Sequence, residues 1–237
     1  MCKFKSGIVT RSGEIYTHWN TDSHEELITY YKLNDKGLDY LVRVEYAPED
    51  IKDLADVSKY VLRVDEHSIP AWFEEQREHV ESEMRHIIER MIKTDGDIEL
   101  ILDGEYILAG KSKTTKIKGG RILSISGNAQ VEYIAGNAQV KSIHDNAQVK
   151  SISENAQVKS IYGNAQVEYI FGNAQVESIS GNAQVEYIYG NAQVEYISGN
   201  AQVEYIAGNA QVEHICGNAQ VEYIFGNAQV KNDKRAK

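Results

Sequence analysis

Cys2 is the residue in this chain that is best placed for covalent chemistry. Removal of Met1 would leave the Cys2 thiol beside a free α-amine, and a neighbouring amine can activate such a nucleophile. The competing interpretation is structural, because a small cysteine at the edge of a strand is more often a buried apolar residue. Cys2 is therefore the catalytic candidate of the runner-up hypothesis, in which the first half of the chain is an enzyme.

A second group with chemical potential lies on a segment with helical spacing. His79 and Glu83, and likewise His86 and Glu89, are three or four residues apart and would share a face of that helix. Two histidines with carboxylates can hold a metal, but the tight H-E-x-x-H spacing of zinc sites is missing. A solvated polar helix face is the favoured interpretation, and the sequence shows no glycine-rich phosphate loop. We expect no metal and no cofactor.

The second half of the chain is a nine-residue repeat, which determines the predicted architecture. Twelve units of consensus G-N-A-Q-V-E-Y-I-x fill residues 127–231, with Asn at 128 and at every ninth position to 227. Helical solenoids repeat every ~30 to 47 residues, whereas nonapeptides are typical of parallel β-solenoids. The segment 118–126 fits as a degenerate first repeat, with Ile122 in the valine position and Ile125 in the isoleucine position.

The pattern also predicts which side chains point inward. Ala129 and Val131 are two residues apart and share one side of a strand, and Ile134 follows after a bend. We expect two nonapeptides, about 18 residues, per coil, and about six coils in a rod roughly 30 Å long. The Asn of each turn should bond its copy in the neighbouring coil. Asp145 and Glu154 replace the turn glycine in two units, which indicates that this position does not need a positive φ in every unit.

The exposed positions of the repeat form the candidate binding surface. With 18 residues per coil, glutamates 18 residues apart stack in one column, and the tyrosines that follow them stack beside it. Tyrosine supplies contact area at a low entropy cost, so such a strip is typical of a protein-binding face. Duplication of one V-E-Y-I unit, without selection for binding, would give the same columns and is the competing explanation. The predicted binding residues are Glu168, Tyr169, Glu186, Tyr187, Glu204, Tyr205, Glu222 and Tyr223.

The charge balance limits the partners of this surface. The 237 residues carry a formal charge of −10, with −6 in residues 1–126, −6 in 127–231 and +2 in 232–237. This acidity argues against direct binding of nucleic acid and favours a basic protein partner. No apolar run reaches the ~20 residues of a membrane span, and the start M-C-K-F-K-S lacks a signal-peptide pattern. Two cysteines make a poor disulfide scaffold, which favours a reducing compartment. We therefore expect a cytoplasmic protein with no membrane partner.

A change of composition near residue 118 predicts the domain organisation: a head domain over 1–117, a solenoid over 118–231 and a basic polar tail over 232–237. In the head we expect a hairpin that turns at residues 11–13, a short helix capped by Ser23, and strands at 40–46 and 60–64. A long helix should begin near Pro70 and end at Asp95-Gly96, and a strand pair at 98–102 and 105–109 should lead to the solenoid. The fold class is an α+β N-terminal domain followed by an all-β parallel β-solenoid.

Several known families share parts of these patterns. The nine-residue period resembles the RTX β-roll, and the G-N-A-x-V core resembles the hexapeptide repeats of left-handed β-helices. The RTX resemblance would imply calcium, but its turns need aspartate where this chain has Gly-Asn-Ala, so calcium is not expected. The whole chain also resembles N-A-Q-V repeat proteins of phages and gut bacteria that share the M-C-K-F-K-S start. That resemblance covers most of the chain and implies no particular activity.

Two further resemblances define alternative functions. The acidic rod is similar in shape to pentapeptide-repeat mimics of DNA, which implies a phage-type inhibitor of a nucleic-acid-binding enzyme, although the repeat here has nine residues. The start of the chain weakly resembles the N-terminal-nucleophile amidohydrolases, which implies catalysis by Cys2, although the first domain is short for their four-layer fold.

The sequence therefore favours a non-enzymatic protein-interaction module, with an acidic tyrosine-lined solenoid face that binds a basic protein. The alternatives are a Cys2 amidohydrolase-like head with the solenoid as an assembly spacer, and a purely structural scaffold. The C-terminal end of the repeat region shows no apolar cap helix, and bare strand edges invite pairing. We therefore expect a homodimer that forms through the C-terminal coils.

Overall fold

The computed structural model describes residues 5–35 and 39–235, and the chain divides into two compact units, 1–92 and 93–237. In the first unit an antiparallel sheet has the strand order β2-β1-β3-β4. The elements of this unit are β1 (Lys5–Thr10), β2 (Ile15–Tyr16), α1 (His24–Tyr31), β3 (Leu41–Pro48), β4 (Tyr60–Val64), α2 (Ala71–Glu74) and α3 (Arg77–Met91), with short 3₁₀ turns at Ile51–Asp53 and Val57–Lys59.

The beginning of the first unit follows the sequence prediction. The β1–β2 hairpin turns at Gly13, whose φ of 89° is one that glycine adopts without strain. Helix α1 begins after Ser23, whose hydroxyl accepts a hydrogen bond of 3.4 Å from the backbone N–H of Glu26. Leu27 of α1 is fully buried in a cluster with Ile8 of β1. The predicted hairpin, capped helix and two strands are confirmed.

The predicted long helix is wrong in its extent. It is divided into α2 and α3 at Gln76, whose side-chain amide donates a 3.0 Å hydrogen bond to the backbone oxygen of Arg11. It also ends at Met91 rather than at Asp95-Gly96, because Ile92–Lys93 form a strand. The apolar face is as the spacing predicts, and its buried residues are Phe73, Val80, Met84, Ile88 and Met91.

The second unit is a two-sheet parallel solenoid. Even-numbered strands form an eight-stranded sheet (the even sheet) and odd-numbered strands form a nine-stranded sheet (the odd sheet). All pairings from β6 to β21 are between strands n and n+2 and are parallel. The strands are β5 (Ile92–Lys93), β6 (Asp97–Ile101), β7 (Glu105–Leu108), β8 (Lys113–Ile117), β9 (Arg121–Ile125), β10 (Gln130–Ile134), β11 (Gln139–Ile143), β12 (Gln148–Ile152), β13 (Gln157–Ile161), β14 (Gln166–Ile170), β15 (Gln175–Ile179), β16 (Gln184–Ile188), β17 (Gln193–Ile197), β18 (Gln202–Ile206), β19 (Gln211–Gly217), β20 (Gln220–Ile224) and β21 (Gln229–Arg235).

The coil of 18 residues is confirmed, but the solenoid has about eight coils rather than six. The additional coils come from residues 93–117, and the expected boundary at residue 117 falls inside the second unit. Ile98 and Thr114 align with the valine position, and Ile101 and Ile117 align with the isoleucine position. The strand pair expected at 98–102 and 105–109 is thus split between the two sheets, and its members pair with β8 and β9 instead of each other.

The core consists of three columns per sheet, as the repeat predicts. In one nonapeptide, for example, Ala183 is 0 %, Val185 is 2 % and Ile188 is 0 % exposed. Each residue packs on its copies one coil above and one coil below, because the strands pair in register. Burial of each large aliphatic side chain contributes about 1.5–3 kcal/mol.

The turns contradict one expectation from the sequence. Asp145 and Glu154 both adopt a φ of 58°, so the glycine position keeps its left-handed backbone even where glycine is absent. Such a backbone costs a non-glycine residue about 1–2 kcal/mol. Their carboxylates offset this strain, because they accept hydrogen bonds of 3.1 and 3.0 Å from the backbone N–H groups of Gly127 and Gly136 in the preceding coil. The expected asparagine ladder is confirmed, for example by the 3.3 Å bond that the Asn164 amide donates to Asn146.

The C-terminal coil closes with charged residues. Residues 232–235, expected to be part of a polar tail, continue β21, and Asp233 occupies the position that Ile215 holds one coil earlier. Arg235 bonds the Asp233 carboxylate and donates a 3.2 Å hydrogen bond to the backbone oxygen of Val221. Charge near a strand edge disfavours strand addition, although Ile224 remains 42 % exposed. The charged edge does not favour the dimerisation through the C-terminal coils that the sequence suggested, and the structure does not test it.

Candidate functional site

The predicted binding residues all lie on the even sheet, where strands β14, β16, β18 and β20 bring them together. Tyr169, Tyr187, Tyr205 and Tyr223 are register partners in successive strands. Each is preceded by its glutamate, so the glutamates form the adjacent column. We call this surface the tyrosine–glutamate face, and it consists of Glu168, Tyr169, Glu186, Tyr187, Glu204, Tyr205, Glu222 and Tyr223. The stacking part of the sequence prediction is confirmed, and the binding role stays a prediction.

The four tyrosine rings form a continuous stack. The centroid distances are 5.4 Å for Tyr169–Tyr187, 4.8 Å for Tyr187–Tyr205 and 5.2 Å for Tyr205–Tyr223. The interplanar angles of these pairs are 21°, 8° and 14°. Stacked rings restrict one another, so the surface presents aromatic area that loses little side-chain entropy on binding.

A second group of rings widens the aromatic surface. Phe171 stacks on Tyr189 at 5.1 Å, and the Tyr189 ring meets Tyr169 edge-on at 6.4 Å. Phe225 is 54 % exposed and meets Tyr205 edge-on at 6.2 Å. These rings occupy the variable ninth position of the repeat and were missed by the sequence reasoning. Their signal was present, because Phe171, Tyr189 and Phe225 are spaced by multiples of 18 residues.

The carboxylates raise the pKa of the neighbouring phenols. A hydrogen bond with Glu168 is the main cause that raises the pKa of Tyr169 to about 12, followed by desolvation and the charges of Glu168 and Glu186. A hydrogen bond with Glu204 likewise raises the pKa of Tyr205. Desolvation comes first for Tyr187, where the Glu186 and Glu204 charges then raise the pKa further. The face therefore combines anionic carboxylates with neutral phenols at neutral pH.

The high pKa of Tyr169 gives a pH-dependent prediction. Between pH 10.0 and about 12 the unfolded chain has lost the Tyr169 proton while the folded chain retains it. The free energy of unfolding should therefore fall as the pH rises through this window. Ultraviolet titration of phenolate should show a step near pH 12 that Tyr169→Phe removes. A wild-type titration with all fifteen tyrosines near pH 10.0 would contradict the Tyr169–Glu168 bond.

The odd sheet carries a different pattern on its exposed face. Ser142, Ser160 and Ser178 hold the positions that tyrosines hold on the even sheet. The next column changes sign along the solenoid, with Lys141 and Lys159 followed by glutamates. Lys159 lies 3.9 Å from the Glu177 carboxylate one coil further on. The two faces of the solenoid therefore have distinct chemistry although their cores are equivalent.

Ser124, His144 and Asp145 form a chain of contacts that resembles a catalytic triad. The Ser124 hydroxyl lies 2.9 Å from His144 Nε2, and His144 Nδ1 lies 3.2 Å from the Asp145 carboxylate. However, Ser124 is 1 % exposed, and the His144 ring stacks on Tyr162 at 4.9 Å. A substrate cannot reach a hydroxyl that is enclosed between coils, so this cluster bonds adjacent coils rather than forming an active site.

The other chemical candidates remain separate. Cys2 lies outside the described residues, so the structure does not test the enzyme hypothesis. On α3, His86 Nδ1 lies 3.1 Å from the Glu89 carboxylate on an exposed surface. In residues 5–35 and 39–235, no three His, Cys, Asp or Glu side chains come together in a way that could hold a metal ion. No helix in this part of the chain is long and apolar enough to cross a membrane.

No protein-family model, curated protein or solved structure matches this chain. Function is therefore inferred from the residues and from their geometry. Within the solenoid, the tyrosine–glutamate face combines a column of aromatic rings with an adjacent column of carboxylates over four successive strands.

Proposed function

We propose that this protein is a non-enzymatic interaction module that binds a basic segment of a partner protein along the tyrosine–glutamate face. The solenoid fold is consistent with an interaction or structural module. The face adds carboxylates for ion pairs with Lys or Arg and aromatic rings for cation–π contacts. The partner class is a protein segment rich in arginine or lysine.

One contact within the chain carries this proposal. The amino group of Lys116 lies over the Tyr133 ring, 5.6 Å from its centroid. Lys116 and Tyr133 are register partners on the even sheet, one coil apart, and Ser151 and Tyr169 follow in the same column. A tyrosine of this column thus already binds a cationic side chain of its own protein. Tyr169 and Tyr223 lie at the two ends of the tyrosine stack, so each has one ring face that no other tyrosine of the column covers, next to carboxylates.

The shape of the even sheet is suited to an extended occupant. An open groove of about 830 Å³ runs along it, and its lining includes Glu168, Glu186, Glu204 and Glu222. Carboxylates in this column recur at the strand spacing of about 4.8 Å. Lys150 interrupts the carboxylate column on β12, but a basic segment along β14 to β20 would meet a carboxylate at each coil.

The aromatic rings favour a protein segment over the DNA-mimic alternative. One DNA strand carries a charge about every 3.4 Å along its axis, which is denser than one carboxylate per coil. A phosphate mimic also acts through negative charge, which stacked tyrosine rings do not supply. A basic groove of a nucleic-acid-binding enzyme nevertheless belongs to the same partner class, and it would bind through its arginines and lysines.

Binding of a labelled nona-arginine peptide tests this function. Glu186→Lys with Glu204→Lys should weaken binding at least tenfold, because two attractive charges become repulsive and the groove is interrupted. Tyr187→Ser with Tyr205→Ser should weaken it about fivefold, because the segment loses the rigid aromatic contact area in the middle of the stack. Serine already occupies this position at Ser151, so the fold should persist.

The matched control is Glu177→Lys with Glu195→Lys, which makes the same change in net charge on the odd sheet. This control should bind the peptide with an affinity within about twofold of wild type, because local contacts exceed screened long-range attraction. Equal losses in both glutamate variants would show that the peptide senses only net charge, and the proposed face would be wrong.

A further inference from the structure

The lysine–glutamate column of the odd sheet includes a charge pattern that is complementary to its own reverse. It runs Lys141, Lys159, Glu177, Glu195 on the successive strands β11, β13, β15 and β17. The side chains of Lys159 and Glu177 are 63 % and 52 % exposed. Across these four strands two positive charges are followed by two negative charges, with the change of sign between β13 and β15. Glu213 and Lys231 continue the column on β19 and β21.

We propose that a second copy of this chain docks on the odd sheet, face to face, with the two solenoids antiparallel. The two-fold axis lies in the plane between the facing sheets, parallel to the strands and between β13 and β15. This operation reverses the order of coils and keeps each column opposite itself. Lys159 of one copy then faces Glu177 of the second, and Lys141 faces Glu195. Symmetry doubles each pair, so four attractive pairs form.

The adjacent column supports the same axis through side-chain size. It runs Ser142, Ser160, Ser178, Tyr196 on the same four strands. The proposed operation places Ser160 opposite Ser178, and Tyr196 opposite Ser142. Tyr196 is 40 % exposed and is held by stacking on His214 at 4.9 Å. The bulky end of each face therefore meets the small end of the other. Side-chain size thus favours the same two-fold axis as the charges do.

The remaining columns are compatible with this docking. The glutamine column faces itself, and amides pair with amides because each carries both donors and an acceptor. One coil beyond Glu195, Glu213 bonds Lys231 of its own chain. That coil therefore adds little net charge to the interface.

The even sheet provides an internal comparison. Its corresponding column runs Lys150, Glu168, Glu186, Glu204, so reversal about its centre would place Glu168 opposite Glu186. Like charges would then meet at the middle of the face. Docking through the odd sheet leaves both tyrosine–glutamate faces outward, although the dimer does not depend on what those faces bind.

Sedimentation velocity over a concentration series at low salt tests the dimer. The wild-type mass should increase with concentration toward two chains, and added salt should weaken the association. Lys141→Glu with Lys159→Glu, and separately Glu177→Lys with Glu195→Lys, should each raise the dimer dissociation constant at least tenfold. These substitutions exchange residues that the repeat already uses at this position, so folding should be unaffected. Glu186→Lys with Glu204→Lys is the control and should dimerise like wild type.

The decisive sample is an equimolar mixture of the two odd-sheet variants. One face is then entirely acidic and the other entirely basic, so the mixture should form a heterodimer while each variant alone stays monomeric. A mixture that remains monomeric would overturn the proposal, as would a wild type that is monomeric at every concentration. A dimer that persists in both variants would also overturn it, and would indicate association through the C-terminal coils instead.

Discussion

Ile188→Asp is expected to destabilise the solenoid by at least about 4 kcal/mol at neutral pH. Ile188 is 0 % exposed and packs between Ile170 and Ile206 of the neighbouring coils. The substitution removes a buried aliphatic side chain and places a carboxylate where no water can reach it. Urea denaturation followed by circular dichroism should show the loss. The deficit should shrink toward acidic pH, because protonation neutralises the introduced carboxyl.

The matched control for this substitution is Ile224→Asp in the last even strand. Ile224 occupies the equivalent position of the repeat but is 42 % exposed, so the carboxylate stays hydrated and the cost should be about 1 kcal/mol or less. The chain itself places Asp233 at this position in its terminal odd strand. Equal losses at positions 188 and 224 would contradict a continuous core that is open only at its end.

Gly136→Ala is expected to cost more than about 3 kcal/mol, although it adds a single methyl group. A Cβ at Gly136 would lie 2.2 Å from the backbone oxygen of Lys118 in the preceding coil, and the residue has a φ of 62°. Backbone oxygen atoms in a paired ladder cannot move independently, so the coil must separate locally. Thermal unfolding should show a correspondingly large decrease in melting temperature.

Gly96→Ala separates the two components of this effect. Gly96 has a φ of 79°, but its Cβ would meet nothing within 4 Å, so only the backbone strain of about 1–2 kcal/mol applies. Glu154, at a φ of 58°, shows that the chain tolerates this strain when the space allows a side chain. Similar losses at Gly96 and Gly136 would contradict the close approach of neighbouring coils.

The repeat made most of the solenoid predictable from its residues. Ala129, Val131 and Ile134 could be predicted to point inward. Their spacing permits it, and the repeats keep apolar residues at these positions. The 18-residue coil followed from two strands per coil, and it aligned Tyr169 with Tyr187. Local periodicity was sufficient because each coil contacts only its neighbours.

The coils of residues 93–117 could not be predicted from the repeat. Their inward positions are buried as in the repeat but carry different residues, since Thr114 takes the place of valine and is 2 % exposed. A sequence without N-A-Q-V therefore adopts the same coil, and only the parallel pairing of β6 with β8 reveals it. The break in the long helix lies at Gln76, which bonds Arg11, a residue distant in sequence.

The candidate site was predictable in part. Alignment of the glutamate and tyrosine columns required only the coil length. The ring-to-ring distances, the Tyr169–Glu168 hydrogen bond and the contact of Lys116 with Tyr133 depend on side-chain conformations that periodicity does not determine. The order of lysines and glutamates on the odd sheet could be read from the sequence. The strand order shows that these residues form one column that is complementary to its own reverse.

Affinity capture from a lysate of the native host tests the proposed binding face most directly. Wild type, Glu186→Lys with Glu204→Lys, and Glu177→Lys with Glu195→Lys should be immobilised in equal amounts, and the retained proteins identified by mass spectrometry. We expect a partner with an arginine- or lysine-rich segment that wild type and the odd-sheet variant retain and the even-sheet variant loses. Retention of that partner by the even-sheet variant would contradict the tyrosine–glutamate face as the binding surface.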